Sequence, residues 1–285
     1  MLKAFIFAIS LVVVPSLNAE ETYHYRVAAD LIDGSGDVES QRLEVKYFAD
    51  GINTSLGPIA ESEFLSRSTS LSLSYNSYEE PGIDDESIAL AARIFSGSKS
   101  IFLDVFLDDM QFIDEKTEHY GVGLGRYMTD KISLSLLVSK IEFGSDFELD
   151  RFIGNIKYLS TSNVNYKIDM SLGLVNGNAP IANMAISDEE DVYDLFAELK
   201  FSIYPNDHSS LTFGTTIYTR TLRSVLVEFG GDPEPTTADD LAYYFANYQY
   251  FWREDRSLGI TYGEKRNDFF YDDNEYISVS FSKYF

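Results

Sequence analysis

Over long stretches of this chain, apolar side chains recur at every second position with Ser, Gly, Thr or charged residues between them. That is the period of a β-strand whose two faces meet different surroundings. Tyr120, Val122 and Leu124 alternate with Gly121, Gly123 and Gly125, and Ile132, Leu134, Leu136 and Val138 alternate with Ser133, Ser135 and Ser139. Val164, Tyr166, Ile168, Met170, Leu172 and Leu174 alternate with Asn165, Lys167, Asp169, Ser171 and Gly173. At the end of the chain Ile277, Val279, Phe281 and Phe285 fall on one face, and Ser278, Ser280 and Ser282 on the other. The pattern predicts fourteen strands, near 22–31, 40–49, 66–76, 88–95, 100–108, 118–127, 131–142, 150–159, 163–175, 190–204, 208–220, 240–252, 255–264 and 275–285. Many are longer than the five or six residues usual in a soluble sandwich. They match the ~9 to 11 residues that a tilted strand needs to cross a bilayer.

The connections alternate in length. Segments 96–99, 128–131, 160–163, 204–208 and 253–255 are tight, whereas 32–39, 77–87, 109–117, 143–149, 176–189, 221–239 and 265–274 are long. Short turns at one end and long loops at the other is the layout of an antiparallel up-and-down barrel in the outer membrane, with both termini in the periplasm. The expected fold is therefore all-β, a transmembrane barrel of about fourteen strands, twelve or sixteen being the alternative counts. One connection breaks the rule. Segment 50–66 lies on the short-turn side, and Gly57-Pro58-Ile59-Ala60-Glu61-Ser62-Glu63-Phe64-Leu65-Ser66-Arg67 suits a short helix after Pro58, since proline fits a first turn. A periplasmic cap or a misplaced pair of strands would equally account for it.

The beginning of the chain adds a destination. Met1-Leu2-Lys3 is a basic start, 4–14 an apolar run, and Ser16-Leu17-Asn18-Ala19 a cleavage site before Glu20. Residues 1–19 read as a secretory signal peptide and 20–285 as the barrel. No segment reaches the ~18 to 20 uninterrupted apolar residues of a spanning helix. With no cysteine, an exported fold rests on packing and backbone pairing rather than on disulfides. The 46 acidic against 22 basic residues give a net charge of −24, which repels nucleic acid. The acids gather in the long class of connection: Glu79, Glu80, Asp84, Asp85 and Glu86; 188–191; Asp232, Glu234, Asp239 and Asp240; Asp268, Asp272 and Asp273. They read as the outer rim of a mouth, with diffuse divalent bridging to lipopolysaccharide phosphates as a partner chemistry.

The same parity assigns the inward residues. Arg26, Arg42, Glu44, Lys46, Asp104, Arg126, Arg151, Lys157, Lys167, Asp169, Glu198, Lys200 and Arg220 are expected to line the lumen, where charges are tolerated at bilayer depth because they face water or one another. Rings of such charges select solutes in pores. No enzyme chemistry is expected. His24, His119 and His208 lie apart, no nucleophile elbow or His-Glu-x-x-His occurs, and Asp114, Glu118 and His119 are the only rim grouping that suggests acid–base work. No cofactor or dedicated metal site is expected. The pattern points to a porin for small hydrophilic solutes, the other reading being a non-conducting barrel whose acidic loops bind a surface partner.

Two stretches carry a resemblance. The final strand with its terminal Phe285 resembles the closing strand of bacterial outer-membrane barrels, which implies an assembly signal in Phe281 and Phe285 read by the barrel assembly machinery. Lys283 stands where many members carry an aromatic residue. The Gly57-Pro58 start followed by Ala60-Glu61, Phe64-Leu65 and Arg67 is similar to a segment near the N-terminus of the putative porins of gammaproteobacteria. That resemblance implies an outer-membrane β-barrel with channel activity.

Overall fold

The computed structural model describes residues 22–35, 38–80, 83–112, 115–143, 147–161, 164–179, 190–220, 241–267 and 274–285. The signal segment, Asp114, the acids at 188–189, 232–240 and 268–273, and loop 221–239 lie outside them. Fourteen strands follow one another: β1 (Thr22–Gly34), β2 (Val38–Asn53), β3 (Ser70–Glu80), β4 (Ile83–Phe95), β5 (Ile101–Phe112), β6 (Glu115–Tyr127), β7 (Ile132–Phe143), β8 (Phe147–Thr161), β9 (Asn165–Ala179), β10 (Glu190–Asn206), β11 (Ser209–Arg220), β12 (Leu241–Arg253), β13 (Arg256–Asn267) and β14 (Asn274–Tyr284). Each pairs antiparallel with its sequence neighbour, and β1 pairs with β14 to close the barrel.

All fourteen expected strands are present, in the expected order. At the long-loop end they run further than alternation suggests. Glu79 and Glu80 belong to β3 and Asp84, Asp85 and Glu86 to β4, with Glu79 paired to Asp84 and Glu80 to Ile83. Glu190 and Asp191 likewise open β10. These acids stand on paired hairpins rather than in loops, because backbone pairing continues into water after the demand for an apolar face has ended.

The two faces divide as the alternation requires. Outward positions are apolar and exposed, led by Leu136 (70%), Leu172 (64%) and Leu124 (61%). A continuous apolar belt of this kind suits hydrocarbon, and a wholly soluble protein would not present it to water. Inward positions carry serines in rows, among them Ser70, Ser74, Ser133, Ser139, Ser202, Ser257 and Ser278, all buried. Inward aromatic rings are seated on inward glycines of the neighbouring strand. Phe102 pairs with Gly125 and Phe245 with Gly214, and in both a Cβ on the glycine would collide with the ring. Phe196 over Gly173 and Tyr276 over Gly263 repeat the arrangement.

Closure depends on the last residues. Phe285 accepts hydrogen bonds through its main-chain oxygen from the amides of His24 (2.7 Å) and Tyr25 (3.0 Å), and its own amide donates to the Tyr25 carbonyl (2.8 Å). Its side chain is on the outer face and 40% exposed, while Tyr284 turns inward and is buried.

Two outcomes test this arrangement. Arginine at Val122, Leu136 or Leu172 should cost ~2 to 4 kcal/mol in lipid vesicles, whereas arginine at the inward Ser135 should be mild; urea unfolding of the four variants makes the comparison, and equal effects would refute the register. Deleting Phe285 removes three hydrogen bonds at the seam, so the yield of heat-modifiable folded barrel on refolding into vesicles should fall well below wild type.

Candidate functional site

The segment that breaks the connection rule folds into the short-turn end of the barrel. Its entry and exit both need a left-handed backbone. At Gly51 φ is +75° and a Cβ would meet the Thr22 side chain, so glycine is required there. At the exit Arg67 has φ 47° and ψ 50°, an uncommon conformation for a residue with a side chain. Between them Asn53 caps a 3₁₀ turn, Thr54–Leu56, by accepting from the Ser55 amide at 2.8 Å. A second 3₁₀ turn, Ile59–Glu61, follows Pro58, and helix α1 (Ser62–Ser66) completes the segment. The expected helix after Pro58 is thus present, and because helix and exit consume residues up to Thr69, β3 begins at Ser70 rather than at 66. Ile59 docks the segment in a small apolar core with Tyr23, Phe48, Ile52, Phe251 and Tyr284, against which Ala60 also packs.

Charge fastens the segment to several sides of the ring. Glu63 on α1 accepts from Arg26 of β1 and Lys46 of β2, both at 2.6 Å. Glu61 reaches other strands, accepting from Lys167 of β9 at 3.0 Å and from the Tyr204 hydroxyl of β10 at 2.5 Å. A third attachment is at β6, where the Tyr127 hydroxyl donates to the Phe64 carbonyl at 3.0 Å. Arg67 donates to Asp130 in the β6–β7 turn at 2.8 Å and lies 4.1 Å above the Tyr127 ring, which explains how its backbone conformation is held. The Ile59 amide donates to the Asp207 carbonyl in the β10–β11 turn at 3.1 Å. A plug tied to β1–β2, β6 and β9–β10 extends across the lumen, since these strands are spread around the fourteen. Burial alone would raise the Glu63 carboxyl, but Arg26 and then Lys46 outweigh it and hold it below its ordinary value.

The wall above carries further charge. On β2, Glu44 pairs with Arg26 and, at 2.9 Å, with Arg42. Asp104 of β5 receives a bidentate pair of bonds from Arg93 of β4, at 2.7 and 2.8 Å. Lys167 also pairs with Asp169 at 3.0 Å, and Lys200 pairs with Glu198. Arg151 lies 5.7 Å over the Phe196 ring. Lys157 lines a cavity of about 690 Å³ above the plug together with Arg26, Lys46, Asp104 and Lys167. Arg220 ends β11, and its side chain is outside the described residues.

Arg126 corrects the expectation. It shares a register row with Ile101 and Leu134, both exposed on the outer face, and keeps the parity of Tyr120, Val122 and Leu124. It therefore points out of the barrel, one residue from the end of β6, where a long cationic side chain can reach interfacial water. The rim grouping does not assemble either. Glu118 and His119 are successive residues of β6 and so lie on opposite faces. His119 faces Ser139 (3.3 Å) and the Phe106 ring. His24 and His208 contact the carbonyls of Phe48 and Phe251. Among the described residues no cluster of His, Cys, Asp and Glu could hold a metal ion.

Alternation missed four residues of the site. Arg93 was within reach, since it continues the inward parity of Ala89 and Ala91. Glu61, Glu63 and Tyr204 were harder to find, because what joins them is a segment without period-2 structure. The signal for it was an overlong connection with two carboxylates in a lumen already rich in Lys and Arg.

No protein-family model and no curated protein sequence matches the chain. Solved structures do. The outer membrane protein Omp33 of Acinetobacter baumannii superposes with a TM-score of 0.59 at 14% identity, over 93% of this chain and 99% of that one. The fold is that of an outer-membrane barrel. A bacterial polysaccharide outer membrane secretin gives a TM-score of 0.52 at 9% identity, over 94% and 100%. The KdgM porin gives 0.46 at 12%, over 91% and 99%.

The fastening has a pH signature. Because the Glu63 carboxyl is held below its ordinary value, its contribution is complete above that value of 4.5 and is lost only as pH falls through the lower, folded one. Protection of the amides across 59–66, taken relative to intrinsic exchange rates at each pH, should hold at pH 5 and fall only in stronger acid. Glu63→Gln should make the same amides exchange faster at pH 7.

Proposed function

We propose that the chain is an outer-membrane porin that lets small hydrophilic solutes diffuse passively through a charged lumen, narrowed at the short-turn end by the plug. The observation that carries this reading is the two-faced closed wall: apolar residues cover the outside, while ion pairs and serines line an inner cavity. Such a wall keeps water and ions on a path through lipid without any step of bond making. The outer-membrane fold shared with Omp33 supports the location. The resemblance of 57–67 and of the last strand to putative porins supports the activity, and Phe281 with Phe285 would then serve the assembly machinery. Acids at the long-loop end would bridge through divalent ions to lipopolysaccharide phosphates.

A second reading has an observation of its own. The plug is bound to several sides of the wall, which favours a barrel that conducts nothing and presents its acidic hairpins to a surface partner.

Planar bilayers separate the two. Under the porin reading the purified protein conducts in potassium chloride, and Glu61→Gln with Glu63→Gln raises the single-channel conductance. Neutralising Glu79, Glu80, Asp84, Asp85 and Glu86 together moves the reversal potential toward anions, while Arg151→Gln moves it toward cations. The hairpin effect fades between 0.1 M and 1 M salt, as the screening length falls from ~10 to ~3 Å. Absence of current in wild type and plug variants alike would leave the surface-binding reading.

A further inference from the structure

The chain is acidic as a whole, yet around the cavity above its plug cations and carboxylates are matched in number. Its lining holds five Lys and Arg side chains and three Asp and Glu, and Glu44 and Asp169, paired with Arg26 and Lys167, stand beside it. The three carboxylates are all engaged: Glu61 by Lys167, Glu63 by Arg26 and Lys46, Asp104 by Arg93. Lys157 is the lining cation with no ion pair or hydrogen bond among the described residues. Asp169, directly across from it on β9, pairs with Lys167 through Oδ2, and its Oδ1 has no hydrogen-bond partner among the described residues. Without a direct bond, Asp169 and Glu61 attract the Lys157 ammonium, while Lys167 and Arg93 repel it. Asn155 lies two residues along the same strand, hence on the same face, and Ser135 is the cross-strand partner of Asn155. All three line the cavity. The patch thus offers an ammonium without a direct partner beside a hydroxyl and a carboxamide that also donates to Ser171 at 2.8 Å, in a space where low-dielectric walls strengthen charge–charge attraction.

We propose that this vestibule is a binding site for a small solute bearing a carboxylate or phosphate group, with Lys157 as the contact that carries the charge. The inference rests on the porin reading for its purpose but not for its test. A solute arriving from the long-loop end meets this ammonium before the plug, and its anionic group supplies the direct partner that Lys157 lacks among the described residues. Charge-assisted hydrogen bonds of this kind are about twice as strong as neutral ones.

Inorganic phosphate is the probe. Titrated calorimetrically into the intact folded barrel in detergent, it should bind saturably. Lys157→Gln should weaken binding by about tenfold or more, the loss expected for a hydrogen bond to a charged group. Lys157→Arg should retain it, as should Lys131→Gln in the exposed β6–β7 turn. Each variant is checked for heat-modifiable migration, so that loss of fold is not mistaken for loss of the site. No saturable binding to wild type, or equal binding by Lys157→Gln, overturns the proposal. A barrel that binds phosphate but passes no current sinks the porin reading alone. One that conducts in potassium chloride and binds no phosphate sinks the anion site alone.

Discussion

A backbone amide or carbonyl in hydrocarbon has no water to turn to, so each must find its partner within the chain. In a sheet that condition is met only if no edge is left, and here it falls on β1 and β14, whose nine paired positions from Arg26–Tyr284 to Gly34–Tyr276 turn a long ribbon into a ring. Once the ring is closed, the rest follows in order. Side chains alternate between lipid and lumen, so the sequence must carry two messages at once, one in the odd and one in the even positions of each strand. Charges such as Arg93 and Asp104, prohibitive on one face, are at home on the other.

The plug is a second consequence of that partition. Its helix is only five residues long and cannot stabilise itself. It persists because the lumen supplies what a free peptide lacks: cations for Glu61 and Glu63, a hydroxyl from Tyr127 for a carbonyl, and an apolar floor for Ile59. Dependence runs in both directions. Removing either carboxylate would leave Lys167, or Arg26 and Lys46, partly buried with less compensation, and an unmatched charge is costlier than a matched pair is beneficial.

The wall was legible because its rule is local. Period-2 alternation with lipid on one side leaves an imprint at every second residue, and fourteen strands could be ordered from it. Errors arose where that rule stops acting. Beyond the membrane the outward face is free to be polar, so alternation fades along the β3–β4 hairpin while its backbone pairing continues. At the interface an arginine can stand on the outer face, and the lumenal expectation for Arg126 breaks the alternation that Val122 and Leu124 set, which places it outside. The plug was visible only as an excess of length, since the partners of Glu61 lie more than a hundred residues away on β9 and β10 and no local pattern encodes such a pairing.

The rings seated on glycines bear on how such a barrel could change over generations. Phe102, Phe196, Phe245 and Tyr276 lie against the wall only because the facing residue has no side chain. One added methyl group at Gly125 or Gly214 would lift a ring toward the axis and take up cross-section without altering any charge. Bore and lumenal charge are therefore written in different residues. A lineage could narrow or widen its lumen through single-carbon changes in the wall while the ion pairs stay as they are.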